Sequence, residues 1–188
     1  MKVATVHLEG SSPYSQSKPH QTDKLKDESA DNYEKRTWRE KAHANGDGKL
    51  FIPPMALKNC LAEAALFKSM KKAGKGQATW TKHFLAGILV TDPILLPLTK
   101  ESVPGEWVYC NADGKKGSGT RVFRCFPLIH KWEGNAIFQV LDDEITEDIF
   151  RYMLTEAGKF IGIGRFRPRN GGFYGRFGIG KFSWEEVG

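Results

Sequence analysis

The residues with the most chemical potential lie together near the C-terminus, in Lys159 to Lys181 (KFIGIGRFRPRNGGFYGRFGIGK). The stretch holds six Lys or Arg, seven Gly, five aromatics and no Asp or Glu. The chain's formal charge is +6, so this segment alone accounts for the whole excess. Arg presents a planar fork that makes paired hydrogen bonds to phosphate and stacks on bases. Gly lets backbone N–H groups come close to phosphate oxygens. Flat rings accept unpaired bases. Phe173 and Tyr174, at the most glycine-rich point, are the expected stackers, and Phe160 and Phe177 are read as core. The chemistry implied is grip on a polyanionic strand rather than the making or breaking of bonds.

Two further basic elements stand apart from this loop. In DGKKGSGTRVFR (Asp113 to Arg124), Lys115, Lys116, Arg121 and Arg124 either line a groove or project as a finger; an exposed hairpin tip is the plainer alternative. Lys68, Lys71, Lys72, Lys75 and Lys82 form the other, read as the solvated end of a helix whose dipole they complement.

Catalytic and metal-binding patterns are sparse. Of His7, His20, His43, His83 and His130, none lies at metal-ligand spacing from another His or Cys, so no zinc site is expected. Asp142, Asp143 and Glu144, followed by Glu147 and Asp148, could hold magnesium but are read first as a turn and a helix start. NGDGK lacks the flanking ligands of a calcium loop, IGIGRF lacks dinucleotide-binding context, and GKGQAT does not end as a phosphate-binding loop must. No cofactor and no metal are expected. Cys60, Cys110 and Cys125 are odd in number with no CxxC pair, which argues against a disulfide framework and for a reducing, cytoplasmic setting.

The chain has 188 residues, 40% of them apolar, 27% charged and 12% aromatic, which suits one domain with a real core. A pI near 9.2 favours polyanionic partners. No run of about 18 apolar residues occurs, so no membrane partner is expected. MKVATVHLEGSS does not read as a secretory signal.

The elements that must position these residues follow from periodicity. Val3 to Leu8 alternates as a strand. Residues 16–49 read as a polar insertion or arm outside the core, with Tyr33, Trp38 and Ala42 anchoring a short helix. Pro53 or Pro54 opens a helix with Leu57, Cys60, Leu61, Ala64 and Phe67 on one face, stopping near Gly74. Leu85 to Leu98 reads as a buried strand broken by Pro93 and Pro97. Trp107 to Cys110, Arg121 to His130 and Ala136 to Leu141 read as strands, and 107–132 as a basic hairpin insertion. Thr146 caps a helix with Ile149, Phe150, Met153, Leu154 and Ala157 inward and Gly158 as its stop. Arg176 to Trp184 closes the chain as a strand. The order is strand, helix, strand, twice over: an α+β fold with a modified ferredoxin-like (RRM-like) βαββαβ core and insertions, in a single domain over 1–188.

With these elements laid out, FIPPMALKNCLAEA (Phe51 to Ala64) and GIGRFRPRNGGFYGRFGIGKF together resemble the RAMP (repeat-associated mysterious protein) superfamily of CRISPR systems. The nearest likeness is to subunits that polymerise along guide RNA, or to a phage or plasmid relative of them. The resemblance implies contact with RNA backbone at Gly162, Gly164, Arg165, Arg167, Arg169, Gly171, Gly172 and Gly175, with Arg176 beside them, and places Lys58 near the nucleic acid. It implies a place in antiviral defence and head-to-tail oligomerisation or assembly with other subunits of a ribonucleoprotein. The function expected is sequence-independent binding of single-stranded nucleic acid, RNA before DNA. Two alternatives stand beside it: a metal-independent endoribonuclease using His20 or His43 as acid or base, and a protein-interaction module, such as a viral inhibitor mimicking a CRISPR subunit.

Overall fold

The computed structural model of the chain describes every residue except Gly114, Lys115, Lys116, Ser118 and Gly188. Strand β1 (Lys2–Gly10) and the short β2 (Tyr14–Ser15) lead into α1 (Ala30–Thr37), which tightens into a 3-10 turn at Trp38–Lys41. Next come β3 (Lys49–Ile52), α2 (Pro54–Lys68), α3 (Thr81–Ala86), β4 (Ile88–Val90) and β5 (Ile94–Thr99). They are followed by β6 (Gly105–Asn111), β7 (Arg121–Ile129), β8 (Glu133–Val140) and α4 (Glu147–Glu156). A widened π turn (Ala157–Ile161) extends α4, and β9 (Phe177–Glu186) closes the chain.

The fold is α+β, with antiparallel sheets. The principal sheet has the order β4-β8-β1-β9, so β1 pairs with β8 on one side and β9 on the other. Pleating sends Ala4, Val6 and Leu8 of β1 and Ala136, Phe138 and Val140 of β8 to one face, where all six are buried. That face meets Leu57, Cys60, Leu61 and Ala64 of α2 and Phe150, Met153 and Leu154 of α4. Phe150 stands edge-on to Phe138 at 5.2 Å and tilted against Trp184 at 5.7 Å. Thr146 caps α4 as expected, its hydroxyl accepting from the Ile149 amide. A second sheet, β2-β7-β6, and the pair β3-β5 pack beside the first.

Several expectations need correction. Residues 16–49 are not a loose arm: Gln16, Glu34, Thr37, Trp38 and Ala42 are buried. Polar groups enter the interior here because each finds partners. The Gln16 amide donates to the Phe51 carbonyl at 2.8 Å and accepts from the His43 N–H at 2.8 Å. Helix α2 stops at Lys68, not near Gly74, because Ser69 turns left-handed at φ 44°. Leu85 to Leu98 is not one buried strand but the end of α3 followed by β4 and β5 in different sheets. Pro93 lies between β4 and β5, and Leu89 and Leu95 face outward. Gly158 does not end its helix; it sits inside the π turn, where a side chain would strike the Phe177 carbonyl of β9. Phe67 and Phe160 pack on each other at 5.9 Å, each about half exposed rather than core, whereas Phe177 is buried.

Among the described residues, no helix is long and apolar enough to cross a membrane.

Candidate nucleic-acid interface

The Gly/Arg loop is laid along α2. Positions 56, 60, 63 and 67 of that helix share one face, being three or four residues apart. Ala56 lines a cleft with Arg165, and Glu63 takes the Arg167 guanidinium at 2.8 Å. The Phe67 ring lies 5.5 Å beneath the Arg169 guanidinium. Cys60, between them, is buried, and burial pushes its thiol up to about 12. The loop is therefore seated by its helix rather than swinging from it.

Its glycines are used for this seating. Gly175 has φ 76°, and a Cβ there would fall on the Ile163 carbonyl oxygen. Gly164 has φ 79° and crosses so close to Ser15 and Tyr14 that a Cβ would collide with both. The N–H groups of Gly162, Gly171, Gly172 and Gly175 donate to the carbonyls of Ala157, Pro168, Arg167 and Pro13. Those four amides, expected to reach for phosphate, are engaged within the chain.

The loop, β2 and the start of α2 enclose a cleft of about 230 Å³ lined by Tyr14, Gln16, Ser17, His43, Pro53, Ala56, Gly164 and Arg165. Three sequence-level candidates, Gly164, Arg165 and His43, thus come together although they are far apart in the chain. The first turn of α2 carries no acid to complement the positive end of its dipole. Burial first, then the charge of Lys18, holds His43 below its ordinary pKa, which favours the neutral imidazole. Lys58 sits on the second turn of α2, half-buried, and is not among the described residues lining the cleft. Pro53 and Ala56 were not anticipated as cleft residues; the doubled proline before the helix was the available signal.

The arginines divide into two kinds. Arg165 pairs with Glu106, donates to Ser15 Oγ at 3.0 Å and lies 4.2 Å over the Phe126 ring. With Arg167 on Glu63, two of the expected phosphate contacts are already held by carboxylates of β6 and α2. Tyr174, expected to stack, donates its hydroxyl to Glu106, and its phenol is pushed up, by burial first and by Glu106 second. Arg169 and Phe173 are exposed, and the Arg176 guanidinium donates to the Lys159 carbonyl at 3.3 Å. In the hairpin, Arg124 is bound to the buried Glu34 at 3.1 Å, and Arg121 lies 5.6 Å over the Tyr109 ring. Lys115 and Lys116 lie outside the described residues.

The helix-free face of the principal sheet is not cationic. Glu9, Glu133 and Glu185 point there against Lys181, and His7 bonds Asn135 at 2.9 Å beside Glu133. His20 lines a different cleft from His43, of about 360 Å³, and bonds Thr22 at 3.0 Å.

Of the acidic run after β8, Asp142 and Glu144 join His83 and Lys72 in a cluster that the sequence did not show. Buried His83 holds Asp142 through Nδ1 at 2.6 Å, with Lys72 Nζ 3.2 Å from Nε2 and also paired to Glu144. His83, Asp142 and Glu144 are close enough for one ion, but the Lys72 ammonium already supplies the cation. Burial pushes the Asp142 pKa up, but His83 and the Glu144 amide outweigh it, and the net direction is down. A carboxyl with a depressed folded pKa stabilises above its unfolded value, and the contribution is lost as pH falls through the folded one. Asp142→Ala should therefore lower stability by about 1–2 kcal/mol at neutral pH, with the deficit shrinking below about pH 4. Urea unfolding at several pH values checks this; a deficit constant with pH would show that the Asp142 charge contributes nothing.

No protein-family model matches the sequence, and no curated protein does. Among solved structures, the chain is similar to the crystal structure of Cmr6 from Pyrococcus furiosus, at 15% identity over 94% of this chain and 98% of that one, with a TM-score of 0.45. Nothing about this chain's chemistry follows from so distant a likeness.

Proposed function

We propose that the protein binds single-stranded nucleic acid, RNA before DNA, through the sugar-phosphate backbone and with little sequence preference. The observation that carries this reading is the cleft where Gly164, Arg165 and His43 meet the acid-free start of α2. The N-terminus of α2, with the Arg165 guanidinium lining the same hollow, suits phosphate. Arg165 and Arg167 act as struts that hold the loop on β6 and α2, while Arg169, Arg176, Arg121 and Lys58 meet the strand. Lys115 and Lys116 belong to the same proposal by sequence. The strand order β4-β8-β1-β9, with α2 and α4 as crossovers, supports a modified ferredoxin-like core. That core and the loop motifs support kinship with RAMP proteins, and with it self-association or assembly into a ribonucleoprotein.

The test is anisotropy of labelled 20-mers of unrelated sequence across a salt series. Lys58→Gln with Arg169→Gln should weaken binding to all of them alike. The slope of log affinity against log salt should become shallower by about 1.4, at roughly 0.7 for each single-strand phosphate that is no longer neutralised. An unchanged slope would reject the placement of these two cations on phosphates. A second reading is favoured by one observation: His43 lines the cleft, and burial lowers its pKa, the direction that suits a general base. Cleavage of RNA in EDTA that disappears in His43→Ala would establish it; intact RNA would dismiss it.

A further inference from the structure

The β6–β7 ribbon carries, beside Arg121, three exposed rings that the backbone-binding reading does not use. Residues directly opposite in an antiparallel pair share a face, and here Trp107 stands opposite Cys125, Tyr109 opposite Phe123 and Asn111 opposite Arg121. Cys125 is buried, but Trp107, Tyr109 and Phe123 are 46%, 54% and 56% exposed. Three large rings on one ribbon face are costly to leave in water unless something covers them. Tyr109 and Phe123 are 5.0 Å apart and tilted at 41°. The Arg121 guanidinium lies over the Tyr109 ring at 5.6 Å. At the other end, Trp107 and Phe123 form one wall of a groove of about 220 Å³ whose other wall is Asp31 and Lys35 of α1. The opposite side of the ribbon is occupied: Glu106 and Phe126 there hold Arg165.

We infer that Trp107, Tyr109 and Phe123 form a stacking platform for unpaired bases of a single strand, with Arg121 and Lys35 meeting its phosphates. The occupant is argued from composition and charge. Among the described residues, the exposed large apolar side chains of this face are aromatic with no aliphatic among them, and the flanking charges are two cations, Arg121 and Lys35, against one acid, Asp31. Trp107 and Tyr109, successive on one face of β6, repeat at about 6.8 Å, and Phe123 stands beside Tyr109 on β7. A strand drawn over them exchanges ring–water contact for ring–base contact whatever its sequence. This rests on the proposal of nucleic-acid binding and adds what that proposal lacks, a site for the bases.

The experiment compares a 12-mer of uridine with an abasic strand of the same length, against wild type and two double variants. Wild type is expected to hold the base-bearing strand at least about tenfold more tightly than the abasic one, as one stack contributes roughly a 5- to 150-fold gain. Tyr109→Ala with Phe123→Ala, which leaves Trp107 in place, should cut the preference for the base-bearing strand by at least about fivefold, leave the salt slope unchanged and leave the melting temperature within a few degrees, since both rings are exposed. Tyr109→Leu with Phe123→Leu keeps apolar area but no π face, and should behave like the alanine pair; full binding in it would overturn stacking. Equal binding of both strands by wild type would overturn the platform and leave backbone binding standing. Binding of neither would overturn both. If instead the alanine pair disperses a self-associated form in sedimentation with no change toward either strand, the face is a protein interface and the inference fails.

Discussion

Replacing Glu34 with alanine is expected to lower stability by about 3–5 kcal/mol, the cost of leaving an uncompensated charge inside a protein. Glu34 is 2% exposed and accepts from Lys41, from Arg124 at 3.1 Å and from the Cys125 amide at 2.8 Å. Its side chain ties α1 to β7 and the 3-10 turn, so the segment between β1 and β3 depends on it. Without the carboxylate, Lys41 is left nearly buried with the Cys125 carbonyl at 2.9 Å and the Phe126 ring at 4.4 Å, neither of which carries a compensating charge. Burial is the largest influence on the Glu34 pKa and raises it, but Lys41, the Cys125 amide and Arg124 together carry it below the ordinary value. Its contribution is therefore complete above an unfolded-state value of about 4.3 and fades as pH drops through the folded one. Denaturant unfolding should show the wild-type and Glu34→Ala curves far apart at pH 7 and converging in acid. Glu34→Gln, which keeps an acceptor for the Cys125 amide, should fall between them. Curves that stay parallel into acid would mean that the charge of Glu34 is not what holds α1 in place.

Gly175→Ala should be the most damaging single change in the Gly/Arg loop. An L-residue in the left-handed region costs about 1–2 kcal/mol. At Gly175 the new methyl group also meets the Ile163 carbonyl oxygen, and this backbone cannot swing aside while Ile163 N–H bonds the Gly175 carbonyl at 3.0 Å and Gly175 N–H bonds Pro13 at 2.7 Å. A total loss of about 3 kcal/mol or more is expected, together with loss of oligonucleotide binding, since Gly164 and Arg165 reach the cleft through this register. Gly171 provides the control. Its φ of 75° is nearly the same, but nothing lies within 4 Å of a Cβ there. Gly171→Ala should cost only the conformational part. Equal losses at the two positions would show that crowding at Gly175 is irrelevant.

Much of the secondary structure was legible because it depends on local pattern. The alternation in β1, the proline-opened apolar stripe of α2 and the Thr146 cap are all written within a few residues, and the structure has each of them. Boundaries were less legible where they depend on packing from elsewhere. Gly158 reads as a helix stop but is small because β9 passes over it; Phe160 reads as core but is half-exposed beside Phe67. In the candidate site, the glycine-rich arginine loop was plain in the sequence, whereas the partners of its arginines were not. Glu63 and Glu106 are 104 and 59 residues away from the arginines they bind, and no local pattern announces such a pairing.

By itself, the sequence determined the alternation of strands and helices, the concentration of cation and glycine in one C-terminal stretch, and the +6 excess, because composition and short-range periodicity require no knowledge of neighbours. Only the tertiary structure decided which of those cations face water, that His43 joins Gly164 and Arg165 in one cleft, and that Trp107, Tyr109 and Phe123 stand uncovered on a ribbon. Burial and ion pairing are properties of what packs against a residue, and in this chain the packing partners come from distant segments.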